Sequence, residues 1–361
     1  MTRSILFVVP SLFPLGSACQ LRQLVRQLDQ SRFSVRLVTL DDDRDSGYTL
    51  SNASQVDDIP ITRLLFRPRD LSSIRELPRL LGETQTDILH LWDCPPVIRL
   101  GIRRFRGSLI ETRFRNETRT MARWLGRLGN PNGILTSFNE ELIENVNPAT
   151  GMSPPKLLAK AAWTEPFDRE AKRAEIQQAL KIPSPAILIA AAAELIPPTR
   201  CKDLIWAIDL LCCIRDDVHL LLLGDGAQRW RLNRFLESTE AQSHVHFLGK
   251  PRDAEQLVAA ADIFWQADLT HALPDAVLLA MAGNVPLVCA LGPTTDPVVR
   301  HQQTALAVKY KSRDQFARWT KFLLEQSDRV ELMTNQARKF VQENFPVEKM
   351  VHQFETIYDS I

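Results

Sequence analysis

The feature that most constrains this chain is a rhythm that runs through it twice. Short β-branched or leucine-rich runs alternate with stretches whose apolar residues recur every three or four positions. In the first half the runs are residues 5–9, 35–40, 88–91, 109–112 and 134–137, and in the second half 186–192, 219–223, 245–248, 263–265 and 286–290. After the first run come Leu21, Leu24, Val25 and Leu28, a single stripe of a helix. Apolar strands interleaved with amphipathic helices call for a parallel sheet covered on both faces. Residues 147–155, rich in Pro, Gly, Asn and Ser, separate the two rounds as a linker. The expected fold is therefore α/β, with two doubly wound Rossmann-like domains. Ligands of such sheets bind outside the carboxyl ends of the strands, here in a cleft between the domains.

Composition agrees with that and narrows the function classes. A chain of 361 residues has room for two cores, and 45% hydrophobic with 24% charged residues is ordinary for a globular protein. A net charge of +1 and sparse aromatics argue against nucleic acid as a partner. The cysteines Cys19, Cys94, Cys201, Cys212, Cys213 and Cys289 are scattered, with no C-x-x-C and no zinc spacing. They read as buried thiols in a reducing compartment. The N-terminus has one Arg, an apolar run and small residues before Cys19, as a lipoprotein signal has. Pro10, Ser11 and Pro14 break that run, however, and Gly16 stands where such a signal needs Leu. A buried strand, a loop and a helix from Ala18 is the better reading. No apolar run approaches the ~20 residues that span a bilayer. The expected location is cytoplasmic.

Residues 261–288, ADIFWQADLTHALPDAVLLAMAGNVPLV, carry the most specific signal. An apolar strand ends near Trp265, a Pro-containing loop follows, and a helix begins around Asp275. This resembles the signature of GT-B glycosyltransferases of the retaining family-4 type (glycosyl transferases group 1). Their pattern runs Ala-Asp-(strand)-Pro-Ser-x-x-Glu-Gly-Phe, then Leu-Leu-Glu-Ala-Met-Ala-x-Gly-x-Pro-Val-Val. Ala261, Asp262, Pro274, Leu278, Ala280, Met281, Ala282, Pro286 and Val288 match it without a gap. The two acidic positions of the pattern are His271 and Leu279. The resemblance runs through nearly the whole chain and is strongest in the second half. It implies an N-terminal acceptor domain over 1–155, a C-terminal nucleotide-sugar domain over 156–346, and a helix at 347–361 returning to the first domain.

The resemblance also implies site roles. The substrate would be a nucleotide-diphospho-sugar, with no separate cofactor and no metal. As the diphosphate leaves, charge compensation comes from an Arg and a Lys and from backbone N–H groups at helix starts. The Lys position is Arg200, but the Arg position is Glu194, an anion; Lys202 is a candidate second cation. The first acidic position contacts the donor sugar, and His271 there can hydrogen-bond, with a pH-dependent charge. The second accepts hydrogen bonds from the ribose, which Leu279 cannot do. Asp275 reads as a helix N-terminal cap at the donor side. The Gly-Gly turn of the first domain is Gly16-Ser17, and Gly224 and Gly226 flank the donor pocket. On the acceptor side lie His90, with Trp92 and Phe114 in place of two histidines.

Other motifs have plainer readings. Asp41-Asp42-Asp43 is a solvated loop after the second strand. The Gly224-Asp225-Gly226 turn lacks a third glycine at the dinucleotide spacing, since Arg229 sits there, so a dinucleotide-dependent enzyme is disfavoured. His244 and His246 share a strand face with no evident third ligand for a metal. From Arg99 to Arg127 the chain holds a dense run of arginines, and Arg119, Arg123 and Arg127 share one helix face. That face is either a solvated surface or a contact for an anionic membrane, which would place the protein peripherally on the inner membrane face with a glycan or lipid-linked acceptor. Two readings of the whole stay open. One is a glycosyltransferase with a diverged donor site; the other is a catalytically silent homologue that binds or scaffolds.

Overall fold

The computed structural model describes the chain except for residues 1, 14, 16–17, 41–54, 57–58, 65–71, 104, 115–132, 146–152, 163–166, 268–273, 292–297 and 310–311. It contains two sheets. The first has eight strands: β1 (Arg3–Val9), β2 (Phe33–Thr39), β3 (Gln55–Val56), β4 (Ile59–Arg63), β5 (Ile88–Trp92), β6 (Ser108–Arg113), β7 (Ile134–Ser137) and β8 (Ser153–Leu157). Their order is β3-β4-β2-β1-β5-β6-β7-β8. All pair in parallel except β3, which runs antiparallel to β4 at the edge. The second sheet has six parallel strands: β9 (Ile187–Ala192), β10 (Val218–Leu223), β11 (Val245–Gly249), β12 (Ile263–Gln266), β13 (Leu287–Ala290) and β14 (Leu306–Val308). Their order is β11-β10-β9-β12-β13-β14.

The long apolar runs are these strands, except residues 276–282, which form a helix; a strand buried on both faces has no polar side to alternate with. Ile5 to Val9 and Val218 to Leu223 are all buried. Helices cover both faces. On the first sheet α1 (Ala18–Gln27) and α2 (Ser72–Glu83) lie in separate core clusters, one on each face. On the second, α4 (Arg169–Leu180), α7 (Ala254–Ala260), α8 (Asp275–Ala282) and α10 (Ser327–Asn344) cover one face. The other face carries α5 (Cys201–Cys212), α6 (Arg229–Leu236) and α9 (Asp314–Glu325). A short α3 (Glu140–Asn145) follows β7. Helix α8 is buried on all sides, all eight residues, so it shows no amphipathic stripe.

The last helix, α11 (Val347–Asp359), packs on the first sheet. Met350, Val351, Phe354, Ile357 and Tyr358 recur every three or four positions and enter the core shared with α1. Burying each such side chain contributes roughly 1.5–3 kcal/mol, enough to fix the crossing. The linker needs correction. Residues 153–157, partly assigned to it, form β8 on the edge of the first sheet, so the boundary drawn at 155 falls inside a strand. Pro155 is tolerated because the register slips there and the strand is an edge. The true crossover is residues 158–162, which run along the carboxyl end of the first sheet. No helix among the described residues is long and apolar enough to cross a membrane.

Candidate active site

Strand order turns back at one point in each sheet: between β1 and β5 in the first, and between β9 and β12 in the second. Loops that diverge at such a switch leave a crevice at the strand carboxyl ends. The first crevice is bounded by the ends of β1 and β5, and the second by Ala193-Glu194 after β9 and Gln266 at the end of β12.

In the second lobe the turns after β9 and β10 are laced together. Leu195 N–H donates to the Asp225 carbonyl (3.0 Å) and Gln228 N–H to the Leu195 carbonyl (2.9 Å). The two backbones approach so closely that only glycine fits. A Cβ at Gly224, whose φ is +124°, would lie 1.9 Å from the Ala193 carbonyl oxygen. One at Gly226 would lie 2.6 Å from the Leu195 oxygen. This is why Gly-Asp-Gly follows a strand here: the turn brings backbone, not side chains, to the crevice.

Arg200 starts α5 in the left-handed conformation, φ 57°. Its guanidinium chelates Asp203, with Nε and Nη2 both on Oδ2 at 2.8 and 2.7 Å. Lys202 does not join it. Its ammonium sits 4.3 Å over the Phe235 ring of α6, so the rescue cation read from the sequence is withdrawn. Glu194 is exposed, and its carbonyl accepts from the Thr199 hydroxyl (2.7 Å).

Asp275 is also corrected. The cap position of α8 is Pro274, with no side-chain cap bond. The Asp275 carboxylate, 8% exposed, serves the lobe contact instead. Its Oδ1 accepts from Lys160 Nζ (2.9 Å) in the crossover and from Gln20 Nε2 (3.1 Å) in α1. Gln20 holds the crossover as well: its Nε2 donates to the Ala161 carbonyl and its Oε1 accepts from Ala161 N–H. A second tie lies two residues along, where Arg22 of α1 meets Glu255 of α7 at 3.2 Å and the Arg252 carbonyl at 3.2 Å. Burial and the nearby Asp275 carboxylate push the Cys19 thiol well up, which keeps it neutral.

Leu279, placed by resemblance at the ribose, is 1% exposed and packs in the core of the second lobe rather than at an open pocket. On the first lobe His90 and Trp92 are both fully buried, so neither is available to an acceptor. His90 Nδ1 bonds the Tyr358 hydroxyl (2.9 Å) and Nε2 the Thr112 hydroxyl (2.7 Å). Burial pushes its pKa down to about 3, so it is a neutral core group that ties α11 to the first sheet. Trp92 stacks beside Phe7, Phe138 and Phe354. Phe114, half-buried at the end of β6, closes that aromatic stack at 5.8 Å from Trp92. His271, Gly16, Ser17, Asp41 to Asp43, and the arginines Arg119, Arg123 and Arg127 lie outside the described residues.

Sequence reasoning missed Gln20, Lys160, Arg22, Glu255 and Gln266. Gln20 was visible as a polar residue on the buried face of α1, and Gln266 as one closing an apolar strand. Gln266 is 1% exposed, and its Oε1 has no hydrogen-bond partner among the described residues. An amide left so at a switch point is a group built for a ligand or a cost without return. Lys160, Arg22 and Glu255 gave no signal, since only the approach of the lobes brings them together. The histidine reading also shifts: His219 Nδ1 lies 3.2 Å from His246 Nε2, and its ring stacks at 5.0 Å on His244. Even so, no group of three His, Cys, Asp or Glu among the described residues is arranged to hold a metal.

Comparison with known proteins bears on this geometry. Residues 172–340 match the family model described as glycosyl transferases group 1. The N-acetyl-alpha-D-glucosaminyl L-malate synthase of Bacillus anthracis is 29% identical over 142 residues, 39% of this chain and 37% of that protein. The match thus spans little more than a third of that relative. Among solved structures, HepE of Anabaena in complex with UDP and glucose aligns with TM-score 0.72 at 16% identity, covering 99% of this chain and 100% of that one. A glycosyltransferase from Rickettsia africae aligns with TM-score 0.68 at 14% identity, covering 99% and 98%. At these identities the likeness is one of fold, the two-lobed GT-B arrangement.

Proposed function

The second lobe of this chain belongs to glycosyl transferases group 1 and the whole chain has the GT-B fold; from that premise we propose that it binds a nucleotide-diphospho-sugar between its lobes and transfers the sugar to an acceptor. The acceptor hydroxyl oxygen bonds to the anomeric carbon, the bond from that carbon to the diphosphate oxygen breaks with its electron pair, and the hydroxyl proton leaves with the departing diphosphate. The observation that carries the reading is the Gly224-Asp225-Gly226 turn. Its backbone packs directly against the turn that follows β9, beside the switch point, so that no side chain stands between the two turns. The HepE complexes with UDP and with UDP-glucose support the ligand class.

The donor site in this reading is diverged. Arg200 keeps a cation, while Glu194 places an anion where the family pattern has Arg. Gly16, Ser17 and His271 keep their proposed roles at the diphosphate and the sugar. A lipid-linked or anionic acceptor reached through Arg119, Arg123 and Arg127 belongs to the same proposal, as does a cytoplasmic location at a membrane face. One observation favours the second reading, binding without transfer: Leu279 is core, so the ribose lacks its acidic partner. Release of UDP, GDP or ADP from the matching nucleotide sugars, with and without membrane-extracted acceptors, separates the two. Turnover above a Gly224→Trp control supports transfer, and saturable binding with no turnover supports the silent homologue.

A further inference from the structure

The leaving diphosphate needs positive charge, and the cations that sequence reasoning offered are engaged elsewhere: Arg200 chelates Asp203 and Lys202 lies over Phe235. Another lysine stands between the lobes. Lys160 belongs to the crossover, whose backbone is pinned at four points. Leu158 N–H donates to the Ser137 carbonyl (2.8 Å), Ala159 N–H to Gln353 Oε1 (2.8 Å), Ala161 N–H to Gln20 Oε1 (2.7 Å) and Ala162 N–H to the Phe345 carbonyl (3.1 Å). Ser137 is the carboxyl end of β7, so the crossover runs along the cleft side of the first sheet. From there the Lys160 side chain, 13% exposed, reaches across to the second lobe and meets Asp275 at the first residue of α8.

Resting on the reading above, we propose that Lys160 is a phosphate-binding residue of the donor site and that Asp275 is its counter-ion until a nucleoside diphosphate arrives. An ammonium has three donors and acts on phosphate as a point charge, so it needs no fixed fork to bind one. The pinned backbone delivers it to the site without further ordering. Asp275 holds the ammonium at the first residue of α8, the helix that follows β12, and Gln20, bonded to the same carboxylate oxygen and to Ala161, keeps carboxylate and crossover in register. The chain thereby supplies from its crossover the second positive charge that Glu194 does not.

The two partners of one ion pair then have opposite effects on phosphate binding, which a purely structural tie would not produce. The test is calorimetric titration of the full chain with UDP and, as the phosphate-free control, uridine. Lys160→Met is expected to weaken UDP on the order of tenfold, the effect of losing one charged hydrogen bond, and to leave uridine unchanged. Asp275→Asn keeps the acceptor for Gln20 but frees the ammonium, and is expected to tighten UDP severalfold with uridine unchanged. Lys160→Arg, which retains the charge, restores most of the lost affinity. Thermal melts identify any variant that fails to fold, and Lys160→Gln then replaces Lys160→Met. Loss of UDP affinity in both Lys160→Met and Asp275→Asn, or parallel shifts of UDP and uridine, overturns the assignment while leaving the donor-site reading intact. Absence of any nucleotide binding by wild type and by Asp275→Asn overturns both.

Discussion

Introducing the missing acid at position 279 gives the sharpest contrast between the family pattern and this structure. Leu279 is 1% exposed and lies in the core on the α8 face of the second sheet. Leu279→Glu forfeits that apolar burial, roughly 2–3 kcal/mol. It also buries a carboxyl with no partner, roughly 1–3 kcal/mol more. The total, about 3–6 kcal/mol, is a large part of the 5–15 kcal/mol that holds a typical domain. Desolvation raises the folded-state pKa of the new carboxyl, so folding favours its protonated form. The loss is therefore smallest at or below about pH 4.3, the unfolded value, and grows as pH rises towards the raised folded value. Urea denaturation at pH 5 and pH 8 measures it, and saturating UDP stabilises the variant more than wild type only if a ribose reaches the carboxylate. A variant within ~1 kcal/mol of wild type at both pH values would refute the reasoning, because position 279 would then face an open pocket.

The other predictions concern separate parts of the molecule. Gly224→Ala places a methyl 1.9 Å from a carbonyl oxygen at φ +124°, so a loss of more than about 3 kcal/mol is expected in urea melts; an unchanged midpoint would mean the turn relaxes freely. Gln266→Leu removes a buried oxygen without a partner and should stabilise the fold by about 1 kcal/mol while weakening nucleotide-sugar binding; reduced stability would reveal a structural role instead. His246 is pushed down to about 4, first by burial and then by His219 and His244, with Asp217, paired to Arg215, the acid beside His219. A lowered histidine pKa contributes stability above the unfolded value near 6.5 that is lost as pH falls towards 4, at most about 3 kcal/mol here. Stability curves of wild type and His246→Leu should converge between those pH values; parallel curves would show that the cluster does not titrate with folding.

The fold was legible because its signals are local. Short leucine-rich or β-branched runs such as residues 218–223 read as covered strands, and the spacing of Met350, Phe354 and Ile357 commits the last helix to a core. Strands β3 and β14, at sheet edges, and β4 beside β3 escaped notice because such short strands carry little apolar patterning. Position in a motif gave the approximate place of Arg200, Gly224 and Gly226. Motif position could not foresee which side chains turn inward. The resemblance puts His90 on the acceptor side, yet two hydroxyls from β6 and α11 satisfy it inside the core. Lys202 was read as a cation beside Arg200, yet the Phe235 ring one helix away holds it. Gln20, Lys160 and Asp275 come from three distant segments, and no periodicity within any one of them predicts the meeting.

Titration calorimetry of the wild-type chain with UDP-, GDP- and ADP-sugars tests the central claim, that the interlobe cleft binds a nucleotide-diphospho-sugar. The account predicts saturable binding of one of them at one site per chain, with thermal stabilisation of roughly 2.7 kcal/mol at 100 times its Kd. Flat titrations for all three classes, with an unmoved melting temperature, would contradict it.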